Sequence, residues 1–337
     1  MEKVTLKQLA AELNLSTSTV SRALQDSYQI GAETKSRVLQ LARRLSYVPN
    51  PHASSLGSRR SKTISVVIPE VTDSYFAQAI NGIEAVAQER GYHVLIYLTH
   101  ERLQQEQEIL KEFQGGRVDG VIMSISAETT SSVHMRGLLA QQVPLILFDR
   151  AIEQVQTPTV LTNDLESSAQ ATWHLIERGC TTILFLSYFR NLSIGQARLA
   201  GYRQALQEAG LPFQPELVVD CGLDDESNLQ LIREVLQKQA HTNGIIATAE
   251  GLTLSVYQAC SELHLGIPAD IKVVCFSNSR SAAILNPPLT TVVQPAFETG
   301  QAAARLLFKS LKNKNAVSAS DSQVLPSKLV VRQSTGG

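Results

Sequence analysis

Apolar residues in the first 45 positions recur with the period of short amphipathic helices. One face of a first helix carries Leu6, Leu9, Ala10 and Leu13. The Thr5–Gln8 segment has the pattern of a capping box, and Asn14 is one of the few residue types that tolerate a left-handed turn. Ser16 is placed to cap a second helix over residues 17–24, and a third is predicted over about residues 32–45. This arrangement predicts a helix-turn-helix unit.

The helical pattern stops between residues 46 and 63. Pro49 and Pro51 force the residues before them out of helical geometry. Asn50 and Pro51 then form a cap and first turn for a short helix over residues 52–57. A helix of about six residues is unstable alone. We therefore expect a hinge helix that forms only when something holds it.

From Thr63 onward, short apolar runs alternate with amphipathic helices. The strand candidates are Ile64–Ile68, His93–Leu98, Gly120–Ile125, Leu145–Phe148, Ile183–Leu186, Leu217–Val219, Gly244–Ala247 and Lys272–Phe276. Helices are predicted between them, among others over Phe76–Arg90, Leu165–Arg178, Arg198–Ala209, Ser227–Gln239 and Leu252–Leu263. This alternation is typical of parallel sheets covered on both faces. Gly91, Gly179 and Gly210 each end a helix, where a positive φ is needed.

The pattern therefore predicts an all-α helix-turn-helix head followed by an α/β body of two parallel-sheet lobes. We place the head at residues 1–46, the hinge helix and linker at residues 47–62, and the body at residues 63–337. A groove between two such lobes lies at the carboxyl ends of the strands, where α/β sheets bind ligands.

Composition and charge narrow the class of protein. The chain has 337 residues, of which 43% are hydrophobic and 18% charged, as in ordinary globular proteins. No apolar run reaches the roughly 18 residues of a membrane span, the first residues do not begin a signal peptide, and the four cysteines are far apart. We therefore expect a cytoplasmic protein with reduced thiols and no membrane partner.

The net charge of −1 hides an asymmetry. Residues 1–62 hold ten basic and four acidic residues, which leaves 20 basic and 27 acidic residues in the remainder. A head at +6 on a body at −7 favours a polyanion as the partner of the head, with a solvated helical face as the alternative.

Motifs of common enzyme and cofactor sites are missing from the sequence. There is no Gly-x-Gly-x-x-Gly, no Gly-x-x-x-x-Gly-Lys and no Gly-x-Ser-x-Gly, and no two histidines have metal-binding spacing. We therefore expect no enzyme activity, no cofactor and no metal.

Several segments stand in a specific order. In the head they are Val4–Ala10, Leu15–Leu24, Tyr47–Asn50 and Ala53–Leu56. In the body they are Ile68-Pro69, Phe148–Arg150, Arg198–Tyr202 and Leu329–Gly336. With these segments the chain resembles, over nearly its whole length, the lactose-repressor (LacI/GalR) family of bacterial transcription regulators. The resemblance implies a DNA-binding head on a body similar to periplasmic sugar-binding proteins.

For the head, the resemblance implies contacts with a double-stranded DNA operator. The residues concerned are Thr5, Leu6, Ser16, Thr17, Ser18, Thr19, Ser21, Arg22, Tyr47, Asn50, Ala53 and Leu56. Hydroxyls such as that of Ser16 suit phosphate oxygens, and the Arg22 guanidinium can bond guanine O6 and N7. The alternative is that the hydroxyl residues are helix caps and a solvated face, and we expect Ser16 to be a cap as well.

For the hinge, the resemblance implies that two helices of a dimer enter the minor groove. Leu56 would wedge a base step and kink the duplex, while Ala53 allows close approach. The alternative is a linker leucine with no role.

For the body, the resemblance implies an effector site of eight residues. They are Ser74, Tyr75, Phe76, Asp149, Arg150, Arg198, Ser277 and Asn278. Phe76 falls where family members stack an aromatic ring on the ligand, and Asp149 and Arg198 fall where they hydrogen-bond it. The alternatives are a core role for Phe76, a surface ion pair for Arg198 and a helix cap for Asp149.

Two segments depart from the family pattern. Phe276-Ser277-Asn278 replaces the common Phe-Asp-Asp or Phe-Asp-Asn, and Ala249-Glu250 replaces an expected Asn-Asp pair. Because Arg150 and Arg198 remain while an acid is lost, we expect a more positive pocket. That charge favours a phosphorylated or acidic sugar metabolite over a plain neutral sugar.

The sequence thus predicts a transcription repressor that binds a pseudo-palindromic operator as a homodimer and responds to a small-molecule effector. We expect a dimer and not a tetramer, since no heptad pattern follows the terminal strand motif. A protein co-effector in place of a small molecule is the main alternative. A solute-binding protein of a transport system would have no use for residues 1–62.

Replacing Leu56 by Ala is expected to lower operator affinity and DNA bending but to keep salt-sensitive binding to random DNA. The basic residues keep their phosphate contacts, and only the wedge is lost. A bending assay at fixed salt, with titrations on operator and random DNA, measures both effects. Equal bending and an unchanged ratio of the two affinities would remove Leu56 from the mechanism.

Overall fold

The computed structural model describes residues 4–47, 61–152, 154–313 and 317–337. The contacts divide the chain into two units, Met1–Ser61 and Lys62–Gly337. Asn50, Ala53 and Leu56 lie outside the described residues, so the expectations for them stay predictions. No helix of the described ranges is long and apolar enough to cross a membrane.

The head consists of three helices whose ends follow the predicted caps. They are α1 Leu6–Leu13, α2 Thr17–Leu24 and α3 Ala32–Arg44. Thr5 and Gln8 form the capping box of α1, and Asn14 takes the left-handed conformation with φ 53°. The Ser16 hydroxyl accepts the backbone N–H of Thr19 and so caps α2. The helix-turn-helix prediction is confirmed.

The core of the head is small. Its buried side chains are Leu9, Ala10, Val20, Ala23, Val38, Leu41 and Ala42. They come from one face of each helix, as the apolar spacing predicts. The other face of α2 is left to solvent.

Strands and helices alternate through the body. The strands are β1 Thr63–Ile68, β2 His93–Leu98, β3 Gly120–Met123, β4 Leu145–Phe148, β5 Thr159–Thr162, β6 Ile183–Tyr188, β7 Val218–Cys221, β8 Gly244–Ala247, β9 Lys272–Phe276, β10 Thr290–Val293, β11 Gln323–Leu325 and β12 Lys328–Val330. The helices are α4 Ser74–Glu89, α5 Leu103–Phe113, α6 Val133–Ala140, α7 Asp164–Glu177, α8 Ser193–Glu208, α9 Asp225–Lys238, α10 Leu252–Glu262 and α11 Ala296–Lys312.

The strands form two six-stranded sheets, one in each lobe. The order in the first lobe is β11-β5-β4-β3-β1-β2, with every pair parallel. The order in the second lobe is β12-β10-β9-β8-β6-β7, where only β12 is antiparallel to its neighbour. The predicted fold class, a helical head with two lobes of mainly parallel sheet, is confirmed.

The chain crosses between the lobes three times, after β5, after β10 and after β11. Hydrogen bonds join these crossings to one another. The Asn163 side chain accepts the N–H of Ser327 at 2.7 Å, and the Asn163 N–H donates to the Leu325 carbonyl at 3.2 Å. The Gln294 amide donates to the Thr162 hydroxyl at 3.1 Å. The three crossings therefore form one bonded bundle.

Some elements are not predicted by the hydrophobic pattern. The strands β5 and β10 are four residues long and half threonine, and β11 is a three-residue edge strand. The helix predicted from Arg198 begins a turn earlier, at Ser193. Gly91, Gly179 and Gly210 all have positive φ, as expected for residues that end helices.

Glycines set the distance between packed helices in both lobes. A Cβ on Gly82 of α4 would lie 2.0 Å from the Phe297 carbonyl oxygen, and a Cβ on Gly300 of α11 would lie 2.0 Å from the Ala79 oxygen. In the second lobe, a Cβ on Gly201 of α8 would lie 2.1 Å from the Leu165 oxygen. These helix pairs touch through their backbones.

Replacing Gly300 by Ala is expected to lower the free energy of unfolding of the body by about 3 kcal/mol, because the backbone of α4 must move away. Thermal or urea unfolding measures the loss. Gly222, which has no atom within 4 Å of an added Cβ, gives the control variant Gly222→Ala. A Gly300→Ala protein as stable as the control would show that the two helices are not held at this distance.

Candidate functional site

The exposed face of α2 carries polar side chains. Thr17, Ser18 and Arg22 are exposed, while Thr19 and Ser21 are half-buried. Among the described residues, the Arg22 guanidinium has no hydrogen-bond or ion-pair partner. It therefore stays free for a ligand outside the chain.

The other predicted DNA-contact residues have structural roles as well. The Ser16 hydroxyl lies 2.8 Å from the hydroxyls of both Ser18 and Thr19. Thr5 is exposed, and Leu6 and Tyr47 pack against the core of the head. The Thr19 N–H and these two hydroxyls fill the one donor and two acceptor sites of the Ser16 hydroxyl, so a DNA contact of Ser16 requires one of the hydroxyl pairs to open.

In the body, a cleft lies where the carboxyl ends of the strands of both lobes meet. Residues of both lobes line it, and such clefts between lobes are common sites for small molecules. Seven of the eight predicted effector residues line it: Tyr75, Phe76, Asp149, Arg150, Arg198, Ser277 and Asn278. The eighth, Ser74, donates its hydroxyl to a carboxylate of the lining, that of Glu250. The structure brings all eight together.

Arg198 on α8 is buried and held in a fixed orientation. Its Nε lies 2.7 Å from Oδ1 of Asp164, and its Nη1 donates to the Thr248 carbonyl at 2.5 Å. The guanidinium carbon lies 4.0 Å from the ring centroid of Phe276. Its Nη2 is buried and has no hydrogen-bond partner within the described part of the chain. The expected alternative of a surface ion pair is wrong, since the pair is buried.

Arg150 after β4 is also buried and paired. Its Nη1 lies 2.9 Å and 2.8 Å from the two oxygens of Glu101 and 3.3 Å from the Ile125 carbonyl oxygen. Its guanidinium carbon lies 4.3 Å from the ring centroid of Phe189. Because Phe189 follows β6, this cation–π contact joins the two lobes.

Aromatic residues of the first lobe close one side of the cleft. Phe76 and Tyr75 are buried at the start of α4. The Phe76 ring lies edge-on to Phe148, with centroids 6.1 Å apart. Phe76 therefore belongs to the core and lines the cleft at the same time.

Carboxylates outnumber the arginines of the cleft. Asp73, Asp149 and Glu250 line it, while Arg150 and Arg198 are paired with Glu101 and Asp164. The departure of Ser277 from the family pattern indicated the loss of an acid, yet Glu250 Oε2 lies 2.9 Å from the Ser277 hydroxyl. The expectation of a more positive pocket is therefore wrong, because Glu250 brings a carboxylate back to Ser277 and both guanidinium groups are already paired.

Burial controls the protonation of these carboxylates. It raises the pKa of Asp149 to about 7, an effect opposed by Arg150 and Arg198 and reinforced by Asp164 and Asp73. Burial also raises the pKa of Asp73. A carboxyl group whose pKa is raised by burial inside a cleft is a candidate functional group.

Comparisons with known proteins identify both parts of the chain. Residues 5–50 match the family model of bacterial regulatory proteins, lacI family, and residues 172–335 match that of a periplasmic binding protein-like domain. The chain is 30% identical to catabolite control protein A of Priestia megaterium, over 98% of this chain and 99% of that protein. The chain belongs to the LacI family. It is a DNA-binding transcriptional repressor of that family, and its relatives are regulators, not enzymes.

Solved LacI-family structures share the fold. The structure of transcriptional regulator CelR in complex with cellobiose is 26% identical, with a TM-score of 0.74 over 98% of this chain and 99% of that one. The Lac repressor dimer bound to operator and the anti-inducer ONPF is 23% identical, with a TM-score of 0.86 over 99% of both chains.

Several lining residues of this LacI-family cleft are not predicted from the sequence. Asp73, Tyr188, Phe189 and Glu250 line it, and Glu101 holds Arg150. Each stands near the carboxyl end of a strand or directly before a helix that follows one. Their position in these loops is the sequence feature from which they could be predicted, because such loops face the groove of an α/β sheet.

Replacing Asp149 by Asn is expected to stabilise the LacI-family body at high pH. The native Asp149 keeps its proton up to about pH 7, whereas in the unfolded chain it loses the proton near pH 4. Stability of the native protein therefore falls as the pH rises from about 4 to 7. The variant lacks this loss and gains about 2–4 kcal/mol at pH 8.

Urea unfolding at pH 5 and pH 8 measures this difference. Asn accepts the hydrogen bond of Ser124 and tolerates the positive φ of 63° at this position. Asp220→Asn, at a half-exposed ion pair with Arg190, is the control. A variant whose stability depends on pH as the native protein's does would contradict the raised pKa.

Proposed function

We propose that the protein represses its target genes in the cytoplasm by binding a pseudo-palindromic operator as a homodimer. A small polar molecule in the cleft of the body controls this binding. The observation that carries the DNA part is the free guanidinium of Arg22 on the exposed face of α2, flanked by Thr17 and Ser18.

The charges around Arg22 support a DNA contact. Two other basic side chains of the head are paired, Lys35 with Asp26 at 2.7 Å and Arg44 with Glu12 at 3.3 Å. Arg22 makes no such pair among the described residues. A planar guanidinium with five donors is the group that reads guanine most often in the major groove.

Exposed apolar residues support a homodimer. β2 is the edge strand of the first sheet, and its Leu95 and Ile96 are exposed. In the second lobe, Leu254 and Ile284 are 70% and 84% exposed. An apolar sheet edge is a template for association, and a two-fold dimer presents two heads to a palindrome. The related Lac repressor structure is a dimer bound to operator.

The cleft supports a small-molecule effector over a protein co-effector. Arg198, Asp149 and Ser277 are more than nine-tenths buried, so only a small ligand reaches them. A ligand that touches both lobes stabilises one arrangement of the lobes over another. The resulting change in DNA affinity is limited by the difference between the ligand's affinities for these two arrangements.

Replacing Arg22 by Ala is expected to lower the discrimination between operator and random DNA by about 1–3 kcal/mol. The exposed side chain contributes little to the fold, so the unfolding midpoint stays unchanged. Titrations on a duplex selected from random sequences, and on an unselected duplex, measure the discrimination at fixed salt.

Arg37→Ala is the matched control, because Arg37 is exposed on α3 and carries the same charge. It is expected to weaken binding to both duplexes alike. If Arg22→Ala binds the selected duplex as the native protein does, α2 is not the reading helix.

A further inference from the structure

The cleft contains more carboxylates than its two arginines can balance. Its two arginines are occupied, Arg198 by Asp164 at 2.7 Å and Arg150 by Glu101 at 2.8 Å. Asp73, Asp149 and Glu250 line the same cavity in addition. The remaining ion-pair distance, from Arg150 Nε to Asp149 Oδ2, is 3.5 Å. The lining thus has more negative than positive groups.

Each of these three carboxylates has one oxygen free for a ligand. The hydrogen bonds of Glu250 from Ser74, Ser277 and Asn278 all go to Oε2. Asp73 accepts the Tyr75 N–H on Oδ1 alone. Asp149 accepts the Ser124 hydroxyl on Oδ2 alone. Among the described residues, the second oxygen of each acid has no partner.

A separate observation indicates what else the ligand carries. Arg198 is buried and lines the cavity, and no group of the described ranges accepts a hydrogen bond from its Nη2. A buried donor without an acceptor is costly, so the bound molecule supplies an oxygen there. That oxygen need not be charged, because Asp164 already balances the guanidinium.

We propose that the effector is a small polyhydroxylated amine, of which amino sugars are the chemical class. Its hydroxyl oxygen accepts from Arg198 Nη2, and its protonated amine lies among Asp73, Asp149 and Glu250. This inference rests on the proposed function, in which the cleft binds an effector.

A phosphorylated sugar has a charge of the opposite sign to that of a protonated amine. Its two negative charges would face three carboxylates, with both guanidinium groups already engaged. Like charges in a site of low dielectric repel strongly. A neutral sugar avoids that repulsion but brings no positive charge to the three acids, so the amine is the group that completes this site.

A matched panel tests the class of ligand. The probes are glucose, galactose and mannose, the 2-amino-2-deoxy form of each, and the 6-phosphate of each. The amino form with the right configuration is expected to raise the unfolding midpoint of the full chain by about 5 °C at 100 times its dissociation constant. The phosphates are expected to have no effect. Stabilisation by a phosphate, by neutral sugars alone or by no amino form overturns the proposal.

The role of Glu250 is tested by Glu250→Gln. The variant keeps the hydrogen-bonding shape and removes one charge. The affinity for the amino sugar is expected to fall at least tenfold while that for the matching neutral sugar does not fall. Glu262→Gln, at the exposed pair with Arg233, is the control and keeps both affinities. An equal loss for both ligands in Glu250→Gln contradicts a charge-specific role.

The pH dependence gives an independent measurement. Asp149 faces Arg150, Arg198, Asp164 and Asp73. A bound amine favours its ionised form, so binding releases a proton below pH 7. Affinity is therefore expected to rise up to tenfold per pH unit between about pH 5.5 and 7, with proton release seen calorimetrically in buffers of different ionisation enthalpy. Affinity that falls with pH over this range overturns the proposal.

A DNA-binding measurement distinguishes a failure of this inference from a failure of the proposed function. DNA binding of the unliganded protein to the selected duplex is measured in the same preparations. A protein that discriminates that duplex but binds no amino sugar refutes the ligand class alone. Loss of discrimination in the native protein refutes the proposed function.

Discussion

Each lobe of the body depends on one buried arginine at the carboxyl edge of its sheet. Arg150 follows β4, and its guanidinium bonds Glu101 after β2 and the Ile125 carbonyl after β3. It therefore joins the ends of these three strands. Arg198 joins the start of α7 to the loop after β8 through Asp164 and Thr248. Removing either partner of a buried ion pair leaves an uncompensated charge and costs several kcal/mol. The loops that form the cleft are therefore fixed before any ligand arrives.

How much the sequence reveals depends on whether a feature is local. The caps at Thr5 and Ser16 and the turn at Asn14 depend on neighbours within four residues, and they were predicted correctly. The strands β5 and β10 were not, because threonine-rich segments of four residues show no apolar pattern and become strands only between existing neighbours.

The electrostatics of the cleft show the same limit. Glu250 and Ser277 are 27 residues apart in the chain but lie at hydrogen-bond distance. The family pattern indicates that Ser277 replaces an acid. It does not show that Glu250, in a neighbouring loop, places a carboxylate beside Ser277. The structure places Arg150 and Arg198 in the cleft, whereas the sign of the charge around them follows from side chains that only the fold brings together.

The three bonded crossings between the lobes restrict how the body can move. Three covalent links side by side, tied through Asn163 and the Gln294–Thr162 bond, resist twisting and sliding of one lobe over the other. They bend easily about one common axis. We therefore expect the lobes to move mainly by opening and closing about that axis. A ligand that closes the cleft is then expected to change mainly the angle between the two lobes.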